Sequence, residues 1–231
     1  MCKGIGERIL FEDNHLIIIY KLTGELVQGD KTGDPCLIDV IKDFIKHRDQ
    51  KPGNVFLGSP HRLDRPTSGI VIFTKTSKAL ERMNALFRNK EVDKTYWAIV
   101  MQQPPSKSGR LSGWMKKNAK QNKSYVSDHE KPDHKHAILT YSWLASSDRY
   151  HLLEVELETG RHHQIRAQLA HMGCVIKGDL KYGAPRSNPD GSISLHARRV
   201  RFVHPVSKES IDLEAPVADD SLWNFFEHSL G

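Results

Sequence analysis

The chain has 231 residues, enough to close over a large core, and its 34 Lys and Arg against 28 Asp and Glu leave a formal charge of +6. That excess permits a polyanionic partner without demanding one. Three scattered cysteines, Cys2, Cys36 and Cys174, argue against a disulfide framework and for reduced thiols in a cytoplasmic setting, and the apolar run Leu16 to Tyr20 is too short for a membrane span or signal peptide.

In chain order, Arg8 to Phe11 and His15 to Tyr20 read as two short strands around the turn signal Asp13-Asn14. KLTG (Lys21 to Gly24) is a turn. Leu37, Ile38, Ile41, Phe44 and Ile45 recur at helical spacing, so Pro35 to His47 is a helix, with Asp34 and Pro35 as start signals. HRLDRPTSG, His61 to Gly69, then reads as loop, because Pro66 biases Arg65 toward extended geometry and Thr67, Ser68 and Gly69 supply turn chemistry. Ile70 to Phe73 follows as a buried strand, which places Asp64 at the mouth of the core between Arg62 and Arg65. An acid between arginines is more often a surface ion pair, but two nearby cations also hold a carboxylate ionised and ready as base or nucleophile.

A helix is expected over Ser77 to Lys90, with Leu80, Met83 and Phe87 inward, then a strand over Val92 to Met101 that sends Tyr96 and Trp97 to opposite faces. From Thr95 to Ser127 there is no Asp or Glu, while Lys107, Arg110, Lys116, Lys117, Lys120 and Lys123 fall inside, with Trp114 interleaved. This is either a solvated hairpin or loop or a surface for an RNA backbone. His129 to His136 lacks metal-ligand spacing and reads as surface loop. Two strands follow, about Ala137 to Leu144 and Tyr150 to Glu158, the second alternating Leu153, Val155 and Leu157 with Glu154, Glu156 and Glu158. TGRHHQIRAQLAHMG is strand end, turn and a helix that starts near Arg161 and ends at Gly173. That would set Arg166 a full turn inside the helix and Arg161 in its fraying first turn. The adjacent His162 and His163 point about 100° apart on a helix and do not make a zinc site. GDLKYG (Gly178 to Gly183) is loop, Ser192 to Val203 is a strand crowded with His196, Arg198, Arg199 and Arg201, of which only one side at a time can face RNA and the sequence does not choose the side, and Leu222, Trp223, Phe225 and Phe226 dock a final helix on the core.

HRLDRPTSG matches HRLD-x-x-TSG, the catalytic signature of the RluA family of RNA pseudouridine synthases, at every defined position. KTYWAIV, TGRHHQIR, GDLKYG and LHARRVRFVHP also resemble that family's elements, in order, so the resemblance runs from about Phe11 to Pro216. KLTG departs from the family's KP-x-G turn, with Leu22 in place of proline. The resemblance implies a single catalytic domain over 1–231, of α+β class, with a largely antiparallel mixed sheet, flanking helices and a central basic cleft. It implies isomerisation of uridine in ribosomal or transfer RNA, with Asp64 as nucleophile or base, Tyr96 stacked on the target base and Arg166 gripping the carboxylate. Arg62, Arg65, Arg161, His163 and the hairpin lysines Lys116, Lys117, Lys120 and Lys123 are candidate RNA contacts. No metal or organic cofactor is implied, and the chain is expected to act as a monomer. The competing expectation is an RNA-binding or ribosome-assembly factor that keeps the fold without turnover.

Overall fold

The computed structural model describes residues 4–29 and 33–230, and Cys2 lies outside them. Its elements in chain order are β1 (Ile9–Glu12), β2 (Leu16–Lys21), α1 (Leu37–Arg48), β3 (Ser68–Thr74), α2 (Ser77–Arg88), β4 (Asp93–Val100), β5 (Ser108–Asn118), β6 (Lys123–Ser127), β7 (Lys135–Ser146), β8 (His151–Leu157), α3 (Gln164–His171), β9 (Leu195–Val203), β10 (Ser210–Glu214) and α4 (Ser221–His228). They build two compact units, Met1–Asp93 with Arg199–Pro216, and Lys94–Arg198 with Val217–Gly231. No helix among the described residues is long and apolar enough to cross a membrane.

In the first unit β1, β2 and β3 form an antiparallel ladder in which Ile17 faces Phe73 and Ile19 faces Val71. Every residue of β2 and β3 is buried, which is why both read as unbroken apolar runs rather than alternating ones. Met83 of α2 closes over Leu16, Ile18, Ile70 and Ile72, and Val200, Phe202 and Ile211 complete that core from the antiparallel pair β9–β10. Thr76 caps α2, its hydroxyl accepting from Ala79 N–H at 3.1 Å. α1 buries Leu37, Ile41 and Ile45 as expected but starts with Cys36 at the N-cap, one residue beyond the Asp34-Pro35 signal.

The second unit is an antiparallel sheet in the order β4, β8, β7, β5, β6. Strand alternation divides its side chains. Met115 and Ala137 meet Ala167 of α3 on one face, whereas Trp97, Ile99 and Leu152 meet Trp223 and Phe226 of α4 on the other. Asp220 caps α4 by accepting from Leu222 N–H at 2.9 Å, and Trp223 and Phe226 dock the tail, whereas Phe225, expected inward, is exposed.

Candidate active site

His61 to Thr67 has the loop geometry expected, with a turn at Arg65-Pro66 before β3 opens at Ser68. Lys21, at the end of β2, fixes it. This side chain is fully buried, and its Nζ donates to the carbonyls of Leu22 (2.9 Å), Arg65 (3.1 Å) and Thr67 (2.6 Å). Gly24 N–H also donates to the Arg65 carbonyl (2.8 Å), and Thr67 N–H closes the turn on the Asp64 carbonyl (3.0 Å). At the other end His61 Nε2 accepts from Ile72 N–H at 2.9 Å, and the imidazole stacks on Phe87 with centroids 4.9 Å apart. Gly69, opposite Lys21 in the ladder, has φ +114°, a value that side chains resist. Asp64 therefore rides, half-buried, on backbone anchored before and after it.

Burial pushes the Lys21 ammonium down to about 8, while the carboxylates of Glu25 and Asp64 pull it back up. Glu25 is itself held by Arg8 through both oxygens, at 2.9 and 2.8 Å. Arg65 has a partner that its position beside Asp64 did not reveal. Its Nη1 binds Asp34 at 2.7 Å and its Nε donates to the Gly24 carbonyl at 3.0 Å, so Asp34 serves the loop rather than the start of α1. Arg62 is exposed.

In the second unit, TGRHHQIR corrects the expected helix start. α3 begins at Gln164, not near Arg161, because His163 takes left-handed dihedrals (φ 54°, ψ 28°) at the N-cap position. Gln164 turns back to accept from Arg161 N–H (2.9 Å) and Thr159 Oγ1–H (2.8 Å). Arg166 is thus in the first turn of α3 instead of a full turn inside, and its anchorage comes from elsewhere. It is 5% exposed, and Nε and Nη2 donate to the two oxygens of Asp179 at 2.7 and 2.8 Å, with Asp179 buried as well. Arg161 is exposed and turns its Nε to the His136 carbonyl at 2.9 Å.

GDLKYG supplies that Asp179 and also Tyr182. It holds a 3-10 turn, Leu180–Tyr182, inside the expected loop, and an added Cβ on Gly178 would stand 2.7 Å from the Ser192 carbonyl. Tyr182 lies under two cations, with Arg166 Cζ 5.2 Å and Lys123 Nζ 5.0 Å from its ring centroid. Its hydroxyl accepts from Ser124 N–H (2.9 Å), donates to the Ser124 carbonyl (3.2 Å) and meets His163 Nδ1 at 3.1 Å. His162 stacks on His163 at 3.8 Å and meets Ser124 Oγ (2.9 Å) and Asn122 Oδ1 (3.1 Å). Both histidines hold the β5–β6 hairpin. Among the described residues no three His, Cys, Asp or Glu side chains gather as a metal site.

Tyr96 is buried and pairs with Val155, which pairs with Tyr141, so it shares the sheet face on which α3 packs, while Trp97 points the other way. The basic stretch is a hairpin in which Lys116 faces Tyr125 and Lys117 faces Ser124. Lys117 and Lys120 are exposed, Lys116 reaches Asp133 at 3.3 Å, and Lys123 is half-buried against Tyr182. On β9, Arg198 holds Glu227 (2.9 Å), Arg199 forks onto Asp212 (Nε 2.7 Å) and Arg201 stands 3.8 Å from Asp93.

A family model described as RNA pseudouridylate synthase matches residues 15–171. The chain belongs to the RNA pseudouridylate synthase family. It is 33% identical over 237 residues to an uncharacterized RNA pseudouridine synthase of Chlorobaculum parvum, covering 92% of this chain and 71% of that one. It is 31% identical to ribosomal large subunit pseudouridine synthase C of Vibrio cholerae, covering 90% of this chain and 65% of that one. Among solved structures, human RNA pseudouridylate synthase domain containing 4 matches with TM-score 0.78 at 25% identity, over 98% of this chain and 92% of that one. Human RNA pseudouridylate synthase domain containing 1 matches at TM-score 0.70 and 19% identity, over 91% and 83%, which shows the fold alone. The RluA-type resemblance and the α+β class with a mostly antiparallel sheet therefore hold, and the chain is an RNA pseudouridine synthase, an isomerase.

Sequence reasoning missed Lys21, Asp179 and Tyr182. Lys21 alone left a usable signal, since a lysine closing a fully apolar strand must find buried acceptors.

Proposed function

We propose that the chain converts specific uridines of structured RNA to pseudouridine and that Asp64 starts the reaction. The C1′–N1 glycosidic bond breaks, the uracil turns while held, C1′ bonds to C5, and the C5 hydrogen leaves as a proton while N1 gains one. The atoms balance without an external reactant. What supports Asp64 is its place in an HRLDRPTSG loop clamped by a buried lysine and a neutral histidine, since a reacting group needs a fixed backbone. Tyr96 is the proposed stacking partner of the target base and Arg166 the cation that steadies Asp64, with Arg62, Arg65, Arg161, His163 and the hairpin lysines as RNA contacts. The ribosomal name of the Vibrio cholerae relative favours ribosomal RNA as substrate. Tritium release from RNA carrying uridine labelled at C5 tests the reading. Release without free uracil is expected. Binding with no release would mean a silent RNA-binding factor, and released uracil would mean a glycosidase.

A further inference from the structure

We propose that the face of the β5–β6–β7 sheet opposite α3 is a stacking platform for unpaired bases of the substrate RNA, built on Tyr125 and Trp114. Tyr125 is 46% exposed, facing away from the core that Met115 and Ala137 make with α3. Its hydroxyl donates to Gln121 Oε1 at 2.5 Å. Lys116 faces it across the ladder, and Lys123 Nζ stands 5.5 Å from its centroid. Trp114 lies diagonally opposite on the same face, because residues two apart on a strand point the same way. Its indole is backed by His136, its partner on β7, with ring centroids 4.9 Å apart, and His136 is held by Ser112 at 2.9 Å.

Two aromatics on one face, Tyr125 between Lys116 and Lys123 and Trp114 backed by His136, match what a single strand offers: a π-face on every base and a phosphate on every residue. A duplex hides those faces, so the occupant is unpaired RNA. The charge agrees, since Thr95 to Ser127 contains no Asp or Glu. The acids nearby sit in the loop before β7. Asp133 pairs with Lys116 at 3.3 Å, but the two side chains are 81% and 50% exposed, and such a pair is weak enough to yield to a phosphate. Asp128 is turned to His171 at 2.8 Å.

The platform rests on the reading that the substrate is RNA, and its test is separate from the test of catalysis. The probe is a short fluorescein-labelled single-stranded RNA, free or annealed to its complement, with binding read by anisotropy across a salt series. Tyr125→Ala should weaken single-strand binding about tenfold with an unchanged salt slope and unchanged duplex binding. Tyr125→Phe should bind as the parent does, and Lys116→Gln should lower the slope by about one. Equal loss on the duplex, no loss on the single strand, or a Phe variant as weak as Ala would overturn the platform. Tyr125-dependent binding without tritium release would sink the catalytic reading and leave the platform standing. Release with indifference to Tyr125 would do the reverse.

Discussion

Asp64 and Arg166 are held by different physics, and each invites its own substitution. Asp64→Asn keeps the shape of the side chain and removes its ionisable group, so tritium release should fall by several orders of magnitude while RNA affinity stays level or rises, a negative charge near phosphate having gone. Single-turnover rates within tenfold of the parent would remove Asp64 from the mechanism. For Arg166 the argument from helix depth does not survive, since α3 starts at Gln164, but the fork with buried Asp179 replaces it. Lysine cannot reproduce two parallel N–H bonds. Arg166→Lys should therefore cut the chemical step with modest change in binding, whereas Arg161→Lys, on an exposed side chain, should alter binding alone. The opposite pattern in single-turnover assays would reverse the two roles. Lys21 is the third residue to test. Lys21→Met leaves the Thr67 carbonyl without its lysine donor and the Arg65 carbonyl with Gly24 N–H alone, which costs about 2 kcal/mol and loosens the loop under Asp64. Both Tm and the rate of the folded enzyme should drop, and a variant with lowered Tm but parental turnover would confine Lys21 to stability.

At the scale of elements, legibility followed locality. β2, β3, α2 and α4 were readable because apolar runs and helical periodicity are written in neighbouring residues, and the caps Thr76 and Asp220 sit where capping chemistry puts them. α3 was misplaced because its start depends on a histidine in a left-handed conformation, stabilised by Gln164 reaching back and by Tyr182 from another segment. No window of sequence contains that information. The hairpin shows the same limit. Its four lysines looked equivalent, yet Lys123 lies half-buried against Tyr182 and exposed Lys116 reaches Asp133, so that Lys117 and Lys120 are the exposed cations with no acidic partner among the described residues. Lys117→Ala with Lys120→Ala should thus lower the salt slope of RNA binding by about two with no change in Tm. A slope equal to the parent's would make the hairpin tip a solvated turn.

At the scale of the whole molecule, the division into two units was not legible, because β9 passes from one to the other between Arg198 and Arg199 as a single strand, with no Gly- or Pro-rich stretch to mark it. The pairings that stabilise the first unit were equally hidden, being long-range, and they predict how the protein meets acid. His204 is buried, and its Nδ1 accepts from Val206 N–H (3.2 Å) and Ser207 N–H (2.9 Å). Burial pushes its pKa below the usual imidazole value against the pull of Asp13, so the folded chain binds fewer protons there than the unfolded one. That contribution is complete above about pH 6.5 and is lost as the pH falls below it. Glu12 behaves as a depressed carboxylate: Arg48 forks onto it at 2.7 Å through each oxygen, Lys75 adds a third bond at 2.7 Å, and together they outweigh the cost of burial. Its contribution is present above the unfolded value of about 4.3 and disappears as the pH drops through the lower folded value. Thermal melts should therefore decline gently from about pH 6.5 to 5 and then steeply below about 4.5. His204→Asn, whose side-chain oxygen can still accept from the turn, should reduce the first decline, which His151, also lowered by burial, shares, and leave the second, and Glu12→Gln should reduce the second at a lower starting Tm. If His204→Asn melts retain the full slope between pH 6.5 and 5, the proton that destabilises the fold there binds elsewhere.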